Sequence, residues 1–349
     1  MGKTKICVLG HFGEGLNLLN GQTVKTKIVT DELSSTFGES NVKKIDTHGG
    51  VKTLIKSPIH SFKAMKSNEN VVIFPAHNGL RVYAPLLAFF KKFFKKTKLH
   101  YCVIGGWLPA FLDDKKGLEK ALKKFDAIYV ETNSMKNALQ SKGFQNVYIV
   151  PNCKPLDVLK KEELCYTQNK PFKLCTFSRV MKEKGIEDAV NAVKFANEKF
   201  GETIFTLDIY GQVDSAQTEW FEQLKKDFPD YVNYGGLVPF DRSVKVLKEY
   251  FALLFPTYYE GEGFAGTIID AFSAGVPVIS STWKYNGEII NNGENGFLFE
   301  THNTDELSEI LCKISSNPQI INAMKTSCID AAAKYVPKEA LSPLIENIK

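Results

Sequence analysis

The sequence predicts an α/β protein made of two doubly wound, Rossmann-like domains. Its 349 residues are enough for two domains of ordinary size, each with a core of its own. Short apolar segments that read as strands alternate with longer amphipathic segments that read as helices, which is typical of parallel sheets with crossover helices. The alternation starts again near residue 172, and this restart indicates a second domain of the same kind.

The first half of the chain contains six strand-like segments. A helix is expected after the first of them, over residues 23–37, because Val24, Ile28 and Leu33 lie near one side and Gly38 follows. The six predicted strands lie in the segments KICVLGHFG, NVKKIDTHGG, NVVIFPAHNG, LHYCVIGG, DAIYVETN and NVYIVPN.

The second half repeats this rhythm after a segment with little periodicity. Residues 151–171 carry three prolines, so we expect one domain at 1–160 and a second at 161–335. The six predicted strands of the second domain lie in FKLCTFSRV, FTLDIYGQ, VNYGGLV, YFALLFPTYYE, GVPVISS and NGFLFE.

The composition is that of an ordinary globular protein. Apolar residues make up 44% and charged residues 24%, and no apolar run is long enough for a transmembrane helix. The first residues, MGKTK, lack a signal-peptide core, so we expect a cytoplasmic protein. The seven cysteines are scattered and never in C-x-x-C spacing, which favours reduced thiols in the core over disulfides or a zinc site.

The charge is distributed unevenly along the chain. Residues 1–160 hold 25 Lys and Arg against 12 Asp and Glu, a net charge of +13, whereas the remainder holds 19 against 27, a net charge of −8. We therefore expect the first domain to meet an anionic surface or substrate. No recognised nucleic-acid module is present and the basic stretches lack interleaved stacking aromatics, so nucleic acid is not expected as a partner.

Lysine-rich segments carry much of this positive charge. In LLAFFKKFFKKTKLHY, apolar residues at 86, 89, 90, 93 and 94 predict a sheet-covering helix whose phenylalanines lie partly in the core. We expect its lysines and those of residues 113–126 to form a surface that contacts an anionic membrane at its inner face. The lysines are Lys91, Lys92, Lys95, Lys96, Lys115, Lys116, Lys120, Lys123 and Lys124.

The segment YYEGEGFAGTIIDAFSAGVPVIS, residues 258–280, combines a glycine-rich loop with a helix start. The helix is expected to begin near Gly266 or Thr267 and to end before Gly275. Unpaired N–H groups in the first turn can bind a phosphate. Asp270, one turn inside the helix, can accept two hydroxyl hydrogen bonds, as from a ribose, and Glu262 can reach another part of the same ligand. These groups together predict a nucleotide diphosphate sugar as the ligand.

The same segment resembles the E-x7-E motif of family 4 retaining glycosyltransferases, which have the GT-B architecture of two Rossmann-like domains facing across a cleft. The segment FSRVMKEKGIEDAVNAV resembles the part of that family that clamps the donor diphosphate. The likeness extends over most of the chain. It differs at Asp270, where the family has a second Glu, and at Gly105, Gly106 and Trp107, where many relatives place a histidine.

The resemblance implies roles for residues in both domains. Domain 1–160 would bind the acceptor, domain 161–335 the nucleotide sugar, and a last helix at 336–349 would pack back on the first domain. The catalytic candidates are Glu262, Arg179 and Lys184; the donor-binding candidates are Asp270, Gly266, Thr267, Phe264, Ala265, Gly21, Leu237 and Val238; and the acceptor or sugar candidates are Gly105, Gly106 and Trp107, with His77, at another strand end, as our substitute for the missing histidine.

The expected activity is metal-independent transfer of a sugar, with retention of anomeric configuration, to a glycan or lipid-linked hydroxyl in surface polysaccharide assembly. A UDP-sugar is the favoured donor. No D-x-D occurs and two cations can neutralise the diphosphate, so neither a metal nor a cofactor is expected; GHFGEG is not the G-x-G-x-x-G of an NAD site. The alternatives are a non-catalytic nucleotide-sugar-binding GT-B module, a GT-B epimerase or phosphorylase, and an oxidoreductase.

Overall fold

The computed structural model describes residues 5–16 and 21–349 and divides the chain into two compact units. The first unit runs up to Pro155 and takes in Pro337–Lys349, and the second is Leu156–Val336. The division thus falls five residues before the boundary expected at residue 160. Leu156 and Val158 pack against the core of the second unit, which explains why these residues belong to it.

The first unit is built around a six-stranded sheet in which every pairing is parallel. Its strands have the order β2-β1-β3-β4-β5-β6, so the chain reverses direction across the sheet between β1 and β3. The strands are β1 (Ile6–Gly10), β2 (Val42–Asp46), β3 (Asn70–Ile73), β4 (Lys98–Cys102), β5 (Ala127–Val130) and β6 (Val147–Ile149).

Helices connect these strands in the crossover pattern that a parallel sheet requires. The helix expected at 23–37 begins two residues earlier and ends before Gly38, which has a φ of 92°. The helices of this part are α1 (Gly21–Phe37), α2 (Val51–Ile55), α3 (Ser57–Ser67), α4 (His77–Phe90), α5 (Leu108–Phe111), α6 (Lys116–Leu122) and α7 (Asn133–Ser141).

The second unit also holds a six-stranded, fully parallel sheet, with the order β12-β11-β10-β7-β8-β9. The chain reverses direction between β7 and β10. In sheets of this order, ligands bind at the carboxyl ends of the strands where the reversal occurs. The strands are β7 (Phe172–Phe177), β8 (Phe205–Tyr210), β9 (Val232–Gly236), β10 (Ala252–Phe255), β11 (Val278–Ser281) and β12 (Gly296–Phe299).

Helices cover both faces of this second sheet. Core residues of β7 and β8 pack against α8 and α13 on one side, while those of β10 and β11 pack against α11 and α14 on the other. The helices are α8 (Ile186–Phe200), α9 (Thr218–Lys226), α10 (Ser243–Leu247), α11 (Gly266–Ser273), α12 (Asn286–Ile289), α13 (Thr304–Ser316) and α14 (Gln319–Ala332).

The end of the chain returns to the first unit as two short helices, α15 (Pro337–Ala340) and α16 (Ser342–Ile348), instead of one. Leu341, Leu344 and Ile348 are buried in the first unit's core. The carbonyl of Ile348 accepts a hydrogen bond from Asn70 Nδ2 at 3.4 Å, so the last turn is tied to β3.

All twelve predicted strands are confirmed, and the prediction of two doubly wound domains with them. The prediction of a helix through residue 94 is wrong, because α4 begins at His77 and ends at Phe90, and residues 91–96 form turns. Five of the seven cysteines are buried, as expected. Within residues 5–16 and 21–349, no helix is both long enough and apolar enough to cross a membrane.

Candidate functional site

The loops after β7 and β10 contain the predicted catalytic residues. Parallel strands end at the same edge of the sheet, so neighbouring strands bring their following loops together. Lys184 follows β7 and Glu262 follows β10, and their side chains form an ion pair with Nζ and Oε2 2.5 Å apart. Two of the three predicted catalytic residues therefore meet at the chain reversal.

This ion pair is largely shielded from solvent. The Lys184 side chain is 11% exposed and that of Glu262 9%. The ammonium group of Lys184 lies 5.0 Å from the ring centre of Tyr259 and 5.4 Å from that of Phe255. Because less water screens the pair, its charges act more strongly on a neighbouring ligand than surface charges do.

Thr257 connects the two loops. Its hydroxyl lies 3.0 Å from Glu262 Oε2 and 3.3 Å from the Glu183 carbonyl oxygen. The backbone N–H of Tyr258 donates to the same carbonyl at 2.8 Å. These contacts fix the carboxylate of Glu262 against the turn that carries Lys184.

Gly185 allows this close approach. It ends the turn Lys182–Lys184 with a φ of 69°, in the left-handed region. A Cβ atom here would lie 2.2 Å from the Pro256 carbonyl oxygen. Only glycine provides both the left-handed conformation and the space next to Pro256.

The first turn of α11 offers free backbone donors at the same edge. The helix starts at Gly266, one position after Ala265, and no side chain caps it. The hydroxyl of Thr267 donates to the Phe177 carbonyl at 2.5 Å, which joins this turn to the end of β7. Because its hydroxyl is engaged in this contact, Thr267 can bind a phosphate through its backbone N–H. Phe264 is buried against Tyr335, which is consistent with a backbone role.

Asp270 lies one turn inside α11 and is almost fully buried. Its Oδ1 accepts a hydrogen bond from Ser243 Oγ at 2.8 Å. Ser243 begins α10, directly after the loop that carries Leu237 and Val238. Ser243 thus connects Asp270, the predicted ribose-binding residue, with the segment that holds the donor-binding candidates Leu237 and Val238. Leu237 presents an exposed apolar side chain there.

Arg179 pairs with a different carboxylate, that of Asp214. Its side chain is 54% exposed, and Nη1 lies 3.5 Å from Asp214 Oδ2. The two predicted diphosphate-binding cations therefore differ in setting, since one is buried in a fixed ion pair and the other is an exposed side chain that can reorient.

In the first unit, Gly21 begins α1 at the carboxyl edge of the sheet. A Cβ atom at Gly21 would meet no described atom within 4 Å, so packing within the described protein does not require a glycine here. Nearby, His11 Nδ1 lies 2.7 Å from Thr23 Oγ1, and His11 Nε2 lies 2.8 Å from His48 Nδ1. The likeness at Gly21 rests on the segment LNGQTVKTKIV, whose first two residues, 19 and 20, lie outside the described residues.

The predicted acceptor residues gather at one place in the first unit. The rings of His77 and Trp107 stack with centres 4.0 Å apart, and Gly105 and Gly106 precede Trp107. Partial burial, followed by the charges of Arg81 and Lys115, lowers the pKa of His77, so its imidazole is neutral at pH 7.

The sequence interpretation missed three residues that organise the site. Thr257 holds Glu262, Ser243 holds Asp270, and Gly185 permits the contact with Pro256. Gly185 could have been found, since a glycine between a lysine-rich turn and a helix marks a left-handed position. Thr257 and Ser243 carry no local signal because their partners are set by the fold. Among the described residues, no group of three or more His, Cys, Asp or Glu side chains could hold a metal ion.

Comparison with known proteins relates the second unit to a sequence family. Residues 171–317 match the model of the family described as Glycosyl transferases group 1. The protein named UDP-N-acetylglucosamine-peptide N-acetylglucosaminyltransferase GtfA subunit, from Streptococcus pneumoniae, is 27% identical over 230 residues, covering 62% of this chain and 44% of that protein. The chain spans about half the length of the curated relatives that it matches first.

Solved structures match over the whole chain. The apo form of WaaB, a lipopolysaccharide outer core galactosyltransferase, has a TM-score of 0.72 at 18% identity and covers 99% of both chains. Anabaena HepE in complex with UDP has a TM-score of 0.73 at 12% identity, also over 99% of both chains. The chain therefore has the GT-B fold, and its residues 171–317 carry the sequence pattern of the Glycosyl transferases group 1 family.

Proposed function

We propose that this protein is a retaining, metal-independent glycosyltransferase. It moves a sugar from a nucleotide diphosphate sugar, with a UDP-sugar as the favoured donor, to a hydroxyl of a glycan or lipid-linked acceptor. The observation that carries the proposal is the shielded Lys184–Glu262 pair, which lies at the chain reversal of a parallel sheet.

The surroundings of this pair support a nucleotide diphosphate sugar as the ligand. The uncapped start of α11 supplies backbone N–H groups for phosphate. Asp270 is a candidate to hold the ribose and the Leu237–Val238 loop to meet the base, and Ser243 connects the two. Glu262 and the backbone of Phe264 and Ala265 would orient the sugar.

Relatives support UDP as the nucleotide. The GtfA protein is named for UDP-N-acetylglucosamine, and the HepE structure contains UDP. WaaB is named as a galactosyltransferase of the lipopolysaccharide outer core, which supports a role in surface polysaccharide assembly.

Charge stabilisation of the leaving group is the main catalytic effect that these residues can supply. The bond between the anomeric carbon and the diphosphate oxygen breaks while the acceptor oxygen bonds to the same face of that carbon. The acceptor proton passes to the departing phosphate oxygen. Lys184 and Arg179 offset the negative charge that grows on the diphosphate, so the step needs no metal ion.

The acceptor is assigned to the first unit, where His77, Trp107 and the two glycines before it lie together. A stacked aromatic pair suits the apolar face of a sugar ring. The excess positive charge of this half supports contact with an anionic membrane, and we place the protein in the cytoplasm at the inner face of that membrane.

The test is release of nucleoside diphosphate from a panel of UDP-, GDP- and dTDP-sugars in the presence of a chelator. We expect release with a UDP-sugar and an acceptor, and a product whose anomeric configuration by NMR is that of the donor. Turnover that depends on added metal, or an inverted product, contradicts the corresponding part of the proposal. Formation of sugar phosphate from a glycan when orthophosphate is added supports a phosphorylase. Interconversion of epimers supports an epimerase, and binding without turnover supports a non-catalytic module.

Two lysines of one turn provide a matched comparison. Lys184→Ala removes the shielded cation, and Lys182→Ala removes an exposed one two residues earlier. We expect Lys184→Ala to lower kcat/KM by roughly 10–100-fold, because it removes a charged hydrogen bond. Lys182→Ala should leave kcat/KM unchanged. Equal activity of the two folded variants would refute the role of Lys184.

A further inference from the structure

A set of large apolar side chains lies exposed on one side of the first unit. Ile59 and Phe62, three residues apart, lie on one face of α3, and Ile55 is the last residue of α2, just before that helix. Phe89 near the end of α4 and Phe93 in the following turn are also exposed, Phe93 by 68%. We call these five residues the N-terminal apolar face.

Ring contacts join the two parts of this face. The Phe62 ring lies 5.8 Å from that of Phe90 and 5.8 Å from that of Phe94. Phe89 in turn contacts Phe90 at 5.6 Å and Phe93 at 5.4 Å. The phenylalanines thus form one continuous aromatic surface, of which Phe62, Phe89 and Phe93 face solvent. The expectation that the phenylalanines of residues 86–96 lie partly in the core is wrong for Phe89 and Phe93. Phe89 lies within α4 but not among its buried residues, and Phe93 lies beyond the end of the helix at Phe90.

Lysines surround this apolar face. Residues 47–112 contain ten Lys and Arg but a single acidic residue, Glu69. Two lysines lie beside exposed rings: Lys66 Nζ is 5.8 Å from the Phe62 centre, and Lys92 Nζ is 5.8 Å from the Phe89 centre. Within the described chain, none of the seven exposed lysines of this region forms an ion pair with a carboxylate; they are Lys56, Lys63, Lys66, Lys92, Lys95, Lys96 and Lys98.

The other lysine-rich segment, residues 113–126, differs in this respect. Lys115 pairs with Asp114 at 2.5 Å, Lys123 pairs with Glu119 at 2.5 Å, and Asp113 pairs with Lys142. These acids reduce the positive potential of that segment. The two lysine-rich segments, which were expected to form one membrane-binding surface, therefore differ in positive charge. The segment with the stronger positive charge is the one that carries the exposed apolar side chains.

We infer that the N-terminal apolar face docks on an anionic lipid bilayer, with the phenylalanines and isoleucines in the headgroup–acyl boundary and the lysines at the lipid phosphates. Exposed apolar side chains suit the headgroup–acyl boundary, and lysines suit the anionic phosphates above it. This face presents both kinds of side chain and has almost no acidic residues nearby. An apolar groove of about 490 Å³ between Ile59, Phe62 and Phe90 opens on the same face. The inference rests on the proposed function in one respect: the docked face is where the enzyme would meet a lipid-linked acceptor.

The test is flotation of the full chain with vesicles of phosphatidylcholine alone and with phosphatidylglycerol added. We expect binding to the anionic vesicles only. The double variant Phe89→Ala/Phe93→Ala should lower the partition coefficient roughly 100-fold, about tenfold for each side chain. Lys92→Gln/Lys96→Gln should lower it about 25-fold, or fivefold for each charge.

Phe195 supplies a matched control in the second unit. It is a half-exposed phenylalanine on α8 with Lys199 Nζ 5.8 Å from its ring centre, just as Phe89 has Lys92. Phe195→Ala should bind vesicles like the wild type. Equal loss in both phenylalanine variants overturns the inference, and so does wild-type binding by Phe89→Ala/Phe93→Ala. The inference is also overturned if the wild type sediments as a dimer and Phe89→Ala/Phe93→Ala sediments as a monomer, because a second copy of the chain then covers the face.

Donor turnover without vesicles separates this inference from the proposed function. The substituted side chains are exposed and lie outside the candidate donor site, so release of nucleoside diphosphate should stay at the wild-type rate. Turnover without flotation overturns the docking surface alone. Flotation without turnover under any donor overturns the proposed function and leaves the docking surface in place.

Discussion

Gly185→Ala tests whether close contact between two loops holds the Lys184–Glu262 pair. Gly185 has a φ of 69°, and an added Cβ would lie 2.2 Å from the carbonyl oxygen of Pro256 and 2.7 Å from its carbonyl carbon. The obstacle is backbone, so the loop after β10 must move away from the turn that carries Lys184.

The magnitude follows from a second glycine, which flanks the other end of α8. Gly201 ends α8 with a φ of 67°, and a Cβ there meets no described atom within 4 Å. Gly201→Ala therefore carries only the cost of a left-handed alanine, about 1 kcal/mol. Gly185→Ala adds an overlap worth about 1–3 kcal/mol, for a total loss of about 2–4 kcal/mol in the free energy of unfolding.

The assay is urea unfolding of both variants beside the wild type, together with release of nucleoside diphosphate. Gly185→Ala should show the larger loss of stability and a lower kcat/KM, whereas Gly201→Ala should keep the wild-type kcat/KM. If both variants lose the same stability and keep full activity, the contact with Pro256 does not hold the site together.

Three further predictions concern buried polar groups. Thr257→Val removes the hydroxyl beside the Glu262 carboxylate and should lower kcat/KM about tenfold with an unchanged circular dichroism spectrum; wild-type kinetics would contradict this. Ser243→Ala removes the 2.8 Å hydrogen bond to Asp270, so the free energy of unfolding should fall by about 1–2 kcal/mol and calorimetry should show weaker UDP binding; a change in neither refutes the role of Ser243. Burial lowers the pKa of Lys325 from 10.5 to about 8, so between these values the unfolded chain binds more protons than the folded one. The lysine's own contribution to the free energy of unfolding should therefore rise with pH across that range, by up to about 3 kcal/mol. It is measured as the difference between the wild type and Lys325→Met, because both share all other titrating groups; a difference that does not change with pH would contradict the prediction.

Local patterns predict the elements of this fold well. Most of the twelve strands are short, largely apolar runs bounded by polar or glycine-containing turns, so their positions can be read from a few residues. The start of α11 is predicted for the same reason, because glycines precede it and Gly275 and Pro277 follow it.

Strand order could not be read from local patterns. It depends on which crossovers pass over which face of the sheet, and no short segment encodes that choice. Because β7 and β10 are neighbours at the reversal, Lys184 meets Glu262, 78 residues later in the chain. Arg179 also follows β7 but pairs with Asp214. The end of α4 was misjudged because the apolar spacing continues past Phe90 although the backbone does not stay helical.

The central claim is that the Lys184–Glu262 pair belongs to a binding site for a nucleotide diphosphate. Calorimetric titration of UDP and of uridine into the wild type, Lys184→Ala and Lys182→Ala tests it most directly. The account predicts that Lys184→Ala weakens UDP binding by roughly 10–100-fold and leaves uridine binding unchanged, while Lys182→Ala changes neither. UDP binding of wild-type strength by a folded Lys184→Ala variant would contradict the account.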